Sequence, residues 1–330
     1  MRISCPVGVT SRSFSSHPTL RSELQERYSD VRFNEAGVSL QGEPLIEFAR
    51  GCRKLIVALE RVDDALLDAL PELEVVSKYG VGTDTVDRSA MARRGVRLGW
   101  TGGVNRRSVA ELTLAMIISL LRHVPALNEE LRSGAWRNRR GRQLSGRTVG
   151  IVGCGHIGKD LAGLLGAFGC KLLAHDIRDF PEFYGEHGVE PVGLDELLER
   201  SDIVTLHLPL DGSTRNLMNR DRLSRMKRDA LLINTARGGL VDEDALITLL
   251  GEGALAGAAF DVFATEPSLD SPLLRLPNFL ATPHIGGSSD EAVLAMGRAA
   301  IRGLDVNRIP TDEPAPGRPR ALPMQPARSP

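Results

Sequence analysis

From about residue 145 onward, short runs of aliphatic and β-branched residues alternate with stretches whose apolar positions recur at helical spacing. The runs predict strands at Thr148–Val152, Lys171–His175, Ile203–His207, Ala230–Ile233, Gly257–Phe260 and Phe279–Ala281. Helical patterns lie between several of them, at His156–Phe168, Leu194–Arg200, Asp221–Met226 and Glu243–Gly251. Strands alternating with helices at this spacing imply βαβ units and a parallel sheet covered on both faces. The first hundred residues repeat the rhythm more faintly, at Ile3–Val9, Lys54–Leu59, Glu74–Ser77 and Val96–Leu98, with helices such as Asp63–Ala69 between them. They read as a second, smaller α/β domain.

Between the two regions lies "SVAELTLAMIISLLR", Ser108–Arg122. Ser108 as N-cap with Glu111 three residues later makes a capping box ahead of an apolar run. Thr113 and Ser119 interrupt that run, and the segment is apolar on nearly every face. It is therefore expected to be buried at a domain or subunit interface. From Pro310 the chain is Pro/Arg-rich without periodicity, which predicts a disordered end.

Composition narrows the class without naming it. With 330 residues, 42% apolar and 25% charged, the chain is globular and long enough for two domains. A net charge of −1 gives no overall field favouring nucleic acid or an anionic membrane, so neither is expected as a partner. The longest apolar run is about half of what a membrane helix requires, and no secretory signal stands at the start. Cys5, Cys52, Cys154 and Cys170 are scattered, with no C-x-x-C and no zinc spacing. Reduced thiols, a cytoplasmic location and no metal are the expectation.

"TVGIVGCGHIGKD" carries Gly153-x-Gly155-x-x-Gly158 directly after a predicted strand and at the opening of a helical pattern. That context is what a dinucleotide-binding loop requires. Gly153 makes the tight turn, Gly155 lets backbone N–H groups approach a pyrophosphate, and Gly158 lets helix and strand pack closely. The phosphates then rest on the helix N-terminus. The next strand, "KLLAHD", ends in Asp176, whose carboxylate can accept both adenosine ribose hydroxyls and would repel the 2′-phosphate of NADP. NAD is therefore favoured over NADP, a preference that Arg178, two residues on, could soften.

Ligands gather at the carboxyl ends of strands in doubly wound sheets. Arg237 follows one strand in "NTARGG", Asp261 and then Glu266 follow another in "FDVFATEP", and His284 follows a third in "TPHIGG". Taken alone, each has a plain structural role open to it: a surface arginine, a turn acid before Pro267, a histidine donating in a turn. Together they match one reaction. Reducing a 2-keto acid needs hydride at the carbonyl carbon and a proton at its oxygen. An arginine fork holds the carboxylate and polarises the carbonyl. A histidine supplies the proton near neutral pH, and a carboxylate behind it orients the ring.

At this point the chain resembles the D-isomer-specific 2-hydroxyacid dehydrogenases, which include D-glycerate, D-lactate and phosphoglycerate dehydrogenases. The resemblance runs from Val75 to about Leu304 through "SKYGVGTDTVD", "NRRSVAEL", "GRTVGIVGCGHIGK", "LHLPL", "LLINTARGGLVDE", "GAAFDVFATEP" and "TPHIGGSS". It implies two Rossmann-like α/β domains with doubly wound parallel sheets and a cleft between them that closes by hinge motion. A discontinuous substrate-binding domain would span 1–101 plus 286–330, and the NAD-binding domain 102–285. By the same resemblance Arg237, Glu266 and His284 are catalytic. Gly153, Gly155, His156, Ile157, Gly158, Asp176, His207, Pro209, Thr214, Thr235, Ala236 and Asp261 contact the cofactor, with Asp261 near the nicotinamide amide. Lys78, Tyr79, Gly80, Val81 and Gly82 join Arg237 and His284 around the substrate. In this set the Val81 and Gly82 N–H groups clamp its carboxylate; Lys78 and Tyr79, beside that loop, are the candidates for reading its distal end, with a solvated lysine and a packed tyrosine as the alternative. The helix at Ser108–Arg122 corresponds to the dimer-forming region, implying a homodimer.

Two departures matter. "GWTGGVN" stands in place of the more usual "NTPG-x-N" lead-in, which puts Trp100 at an unusual place, either packing a hinge or walling the substrate. Ala58 stands where phosphoglycerate-specific relatives carry an arginine for the phosphate, although Lys78 or Arg61 could substitute. The leading expectation is an NAD-dependent enzyme acting on glyoxylate, hydroxypyruvate or phosphohydroxypyruvate. A phosphite- or formate-type dehydrogenase and an NAD-sensing binding protein are the alternatives.

Overall fold

The computed structural model describes residues 2–311. The chain divides into two compact units, one of Met1–Asn105 with a returning segment from Gly287, the other of Arg106–Gly286. Most of the tail expected to be a disordered end, from residue 312 onward, lies outside the described residues.

The first unit is built on a five-stranded parallel sheet of β1 (Val7–Val9), β2 (Val31–Phe33), β3 (Lys54–Val57), β4 (Val75–Lys78) and β5 (Arg97–Gly99). Its order is β2-β1-β3-β4-β5. β3 and β4 sit inside the sheet and are buried almost throughout, as strands covered on both faces must be. The expected strand at Ile3–Val9 shortens to β1 because Pro6 has no N–H to donate; Ile3 makes only an isolated bridge with Tyr28. The strand expected to reach Leu59 ends at Val57, where the Ala58 N–H turns onto the Glu60 carboxylate at 2.5 Å.

The second unit carries seven parallel strands: β6 (Thr148–Val152), β7 (Lys171–His175), β8 (Val189–Pro191), β9 (Ile203–Leu206), β10 (Leu231–Asn234), β11 (Gly257–Phe260) and β12 (Phe279–Ala281). Their order, β12-β11-β10-β9-β6-β7-β8, reverses direction between β6 and β9. That switch point is where a doubly wound sheet opens a crevice at its carboxyl edge. One apolar core covers each face of this sheet, and each face of the smaller sheet likewise. Helix starts are set locally by side-chain caps: Asp63, Asp87, Asn219, Asp242 and Ser289 each accept a first-turn N–H.

The expected capping box at Ser108 is not formed. The helix runs Arg106–Leu121, and the Ser108 hydroxyl donates instead to the Gly286 carbonyl at 2.7 Å. The helix begins two residues earlier, so Ser108 lies inside its first turn rather than at the N-cap. The helix packs its Val109, Ala110, Thr113, Met116, Ile117 and Leu121 face into its own unit, against β10, β11 and the helix His156–Ala167. No single helix among the described residues is long and apolar enough to cross a membrane.

The helix Asp290–Gly303 returns the chain to the first sheet. Gly99 and Gly303 meet so closely that a Cβ on Gly99 would lie 2.1 Å from the Gly303 carbonyl oxygen. Beyond it Asp305 is gripped by Tyr28 Oη (2.5 Å) and Lys54 Nζ (3.0 Å), and Lys54 also donates to the Leu304 carbonyl. Partial burial alone would raise the Asp305 carboxyl. The hydrogen bonds from Tyr28 and Lys54, with the lysine charge, outweigh it and hold the group below its ordinary value. Its stabilising contribution is therefore complete above the unfolded value of about 3.9 and fades as pH falls through the lower folded one. Asp305→Asn is expected to cost about 1–2 kcal/mol at pH 7, lowering Tm by several degrees, with the gap to wild type closing below about pH 4. Thermal melts across that range check it; a gap independent of pH contradicts it.

Candidate active site

The glycine loop leaves β6 at the switch point. Gly153 has φ +98°, and a Cβ there would sit 2.5 Å from the His207 carbonyl oxygen. A Cβ on Gly158 would lie 2.2 Å from the Gly153 carbonyl oxygen, so the helix can approach the turn only without one. Gly155 faces open space and is the N-cap of the helix His156–Ala167, with no side chain capping it. His156 is exposed and Ile157 half-buried in the first turn. An open cradle before an uncapped helix N-terminus suits a pyrophosphate.

Asp176 directly follows β7. Its carboxylate accepts the Cys154 N–H at 2.7 Å and the Arg178 N–H at 2.9 Å, so it ties the glycine loop to the end of β7. Burial pushes the Cys154 thiol up to about 12, which keeps it protonated and unreactive. After β9, His207 pairs Nε2 with Thr205 Oγ1 at 2.9 Å, while its Nδ1 is enclosed without a hydrogen-bond partner. Burial pushes this histidine down to about 3, so the ring is neutral. An enclosed, unpartnered ring nitrogen beside the glycine loop also fits a site that awaits a ligand. Downstream, the Thr214 hydroxyl donates to the Pro209 carbonyl at 2.8 Å and closes the loop at the strand exit.

The β10 exit is braced by Asn234, which is fully buried. Its amide donates to the Arg237 carbonyl (2.8 Å) and accepts the Ala236 N–H (3.1 Å), fixing the turn from which Arg237 projects. Arg237 Nη1 also reaches the Ala236 carbonyl at 2.6 Å. Thr235 Oγ1 lies 2.8 Å from Thr113 Oγ1, and the Thr113 hydroxyl proton goes to the Val109 carbonyl. The Thr235 hydroxyl must therefore donate to Thr113, which leaves its lone pairs free to accept.

His284 and Glu266 meet across the exits of β11 and β12. The His284 Nδ1–H donates to Glu266 Oε2 at 2.7 Å, and Glu266 Oε1 accepts the Phe263 N–H at 3.0 Å. With Nδ1 committed, Nε2 is the nitrogen left for proton exchange. His284 has φ +56°, a left-handed conformation that a non-glycine residue adopts only under constraint. Asp261 supplies that constraint. Its backbone carbonyl accepts the His284 N–H (2.9 Å), and its buried carboxylate accepts the Thr282 hydroxyl (2.5 Å) and the Ile285 and Gly286 N–H groups (2.7 Å each). The sequence reading puts Asp261 beside a nicotinamide amide; the fold uses its carboxylate to hold the histidine loop.

In the first unit, Gly80 (φ +118°), Val81 and Gly82 follow β4 as expected. Lys78 and Tyr79, the candidates for a distal substrate group, are both buried and hydrogen-bonded within the first unit. Lys78 is buried with Nζ donating to the Ala58 carbonyl. Tyr79 is buried edge-on to Phe14, its hydroxyl 3.1 Å from Ser13 Oγ. Strand alternation alone does not say which face of the sheet a lysine enters. Asn234 and Thr113 were missed as supports, although Thr113 stood out as a polar break in an apolar helix.

The description "D-isomer specific 2-hydroxyacid dehydrogenase, NAD binding domain" matches residues 114–286. A glyoxylate reductase of Thermofilum pendens is 39% identical over 258 residues, 76% of this chain and 76% of its own. A D-3-phosphoglycerate dehydrogenase of Methanocaldococcus jannaschii is 36% identical over 267 residues, 80% of this chain and 51% of its own. The chain thus spans about half the length of the phosphoglycerate dehydrogenases it matches. The crystal structure of a glyoxylate reductase from Paecilomyes thermophila superposes with TM-score 0.81 at 26% identity, covering 91% of this chain and 94% of the other.

Proposed function

Because the chain belongs to the D-isomer specific 2-hydroxyacid dehydrogenase family, we propose that it reduces a small 2-keto acid to the D-2-hydroxy acid with NADH, and catalyses the reverse. The observation that carries this reading is the His284–Glu266 pair at 2.7 Å, in the same unit as an open glycine cradle. Gly153, Gly155 and Gly158 would hold the dinucleotide's pyrophosphate, and its nicotinamide would supply the hydride for the carbonyl carbon. His284 gives the Nε2 proton to the carbonyl oxygen as the C–H bond forms, and takes it back in oxidation. Glu266 orients the ring and stabilises the imidazolium. Arg237 holds the substrate carboxylate and polarises the carbonyl; in the first unit, the Val81 and Gly82 N–H groups are the candidate carboxylate binders.

The substrate set is glyoxylate and hydroxypyruvate ahead of phosphohydroxypyruvate. Ala58 offers no charge for a phosphate, and the Lys78 ammonium is already on the Ala58 carbonyl. The helices Arg106–Leu121 and Val124–Arg132 and the exposed Val124, Leu131 and Trp136 support a homodimer. The free cysteines, mostly buried, support a cytoplasmic setting. Steady-state rates with these three acids, and with phosphite and formate, test the reaction class. Turnover of phosphite or formate alone, or NADH binding without any turnover, overturns it.

NAD is preferred over NADP because the Asp176 carboxylate, held at the end of β7, would face a 2′-phosphate. Asp176→Asn keeps an acceptor for Cys154 and removes the charge. It is expected to shift the NADPH/NADH ratio of kcat/KM by about tenfold toward NADPH, the scale of one nearby like-charge contact. An unchanged ratio contradicts this role.

A further inference from the structure

Trp100 occupies the place where the chain departs from the more usual lead-in, and it is bound to the residues after β4. Its Nε1–H donates to the Val81 carbonyl at 2.9 Å. The ring is half-buried against the core of the first unit, with the Arg88 guanidinium 5.7 Å from its centre. Arg88 Nη2 in turn donates to Thr83 Oγ1 at 2.8 Å. The segment after Gly80 is thus clasped at Val81 by the indole and at Thr83 by the arginine that stacks on it.

The Val81 carbonyl and the Gly82 N–H belong to one peptide plane. In a trans peptide they point in opposite directions, so fixing one fixes the other. A hydrogen bond accepted by the carbonyl also polarises the amide and strengthens its N–H as a donor. We propose that Trp100 is a positioning residue that aims the Gly82 N–H at the substrate carboxylate and sharpens it for that contact. The inference rests on the proposed role of Val81 and Gly82 as carboxylate binders, and it adds a residue type at a position outside the common pattern. Of the two readings open to Trp100 from sequence, hinge packing or substrate wall, this is neither. The indole acts through the backbone rather than by touching substrate.

Trp100→Phe keeps the aromatic packing and the Arg88 stack and removes only the donor. The expected result is a five- to tenfold rise in KM for glyoxylate and in Ki for oxamate, about what one lost hydrogen bond costs, with kcat and the NADH KM unchanged. Arg88→Met, which leaves the indole in place but releases Thr83, is expected to move both constants the same way to a smaller degree. Gly82→Pro, which deletes the N–H itself, is measured alongside. If Gly82→Pro leaves oxamate binding unchanged, the carboxylate role of this loop fails and the inference falls with it. If Gly82→Pro weakens oxamate but Trp100→Phe and Arg88→Met do not, the loop binds carboxylate and Trp100 has no part in it. A uniform loss of kcat and NADH affinity in Trp100→Phe would reveal a merely structural role and overturn the proposal.

Discussion

His284→Asn is expected to lower kcat by about 10²–10⁴-fold, the range for loss of a positioned general acid–base, with NADH affinity within about twofold of wild type. Asparagine is the informative replacement because His284 sits at φ +56°. Asparagine tolerates that conformation, whereas alanine would add strain of about 1–2 kcal/mol and blur the result. The loop itself is held by Asp261 through four hydrogen bonds, none of them to the imidazole. Its backbone course thus survives the substitution. The lost group is the ring whose Nδ1 is fixed on Glu266 and whose Nε2 carries the proton. Unchanged kcat would mean that the proton comes from elsewhere. A parallel loss of NADH binding would mean that the loop had moved.

Arg237→Lys is expected to reduce kcat/KM for the 2-keto acid by about 10²–10³-fold, from the loss of two charge-assisted hydrogen bonds in fork geometry. Charge is conserved in this change, so a smaller effect would show that Arg237 acts as a point charge only. The turn that presents it is fixed chiefly by Asn234, with the Arg237 Nη1 bond to the Ala236 carbonyl an addition that a lysine ammonium can also make. Stability is accordingly expected to stay near wild type. Stopped-flow measurement with saturating NADH separates weaker substrate binding from slower hydride transfer. An unchanged kcat/KM removes Arg237 from the substrate.

Much of this site could be read from sequence because its residues obey local rules. Gly153 needs its φ of +98° to make the turn, and Gly158 is forced by the Gly153 carbonyl within the same strand–turn–helix unit, so spacing alone marks them. Arg237, Glu266 and His284 stand just after apolar runs, and a parallel sheet brings the exits of its strands to one edge. Partners distant in sequence were not legible. Thr113 reaches Thr235 across 122 positions, and Ser108 finds the Gly286 carbonyl rather than its own helix. Lys78 lies between residues that alternate faces, yet only the fold brings the Ala58 carbonyl to its ammonium. The edge strands β2 and β8 have three residues each, too few to display a period, and β8 ends in proline. The returning helix Asp290–Gly303 carries a clear N-cap at Ser289, but its place on the first sheet depends on small residues, Gly297 and Gly303, whose meaning appears only in contact with Leu20 and Gly99.

The most direct test of the account is to incubate the protein with NADH and glyoxylate, hydroxypyruvate or 2-ketobutyrate, then follow cofactor absorbance and resolve the product by chiral chromatography. The account predicts one NADH consumed per 2-hydroxy acid formed and, for hydroxypyruvate and 2-ketobutyrate, the D enantiomer alone. NADH that binds but is not oxidised by any of these acids, or an L product, would contradict it.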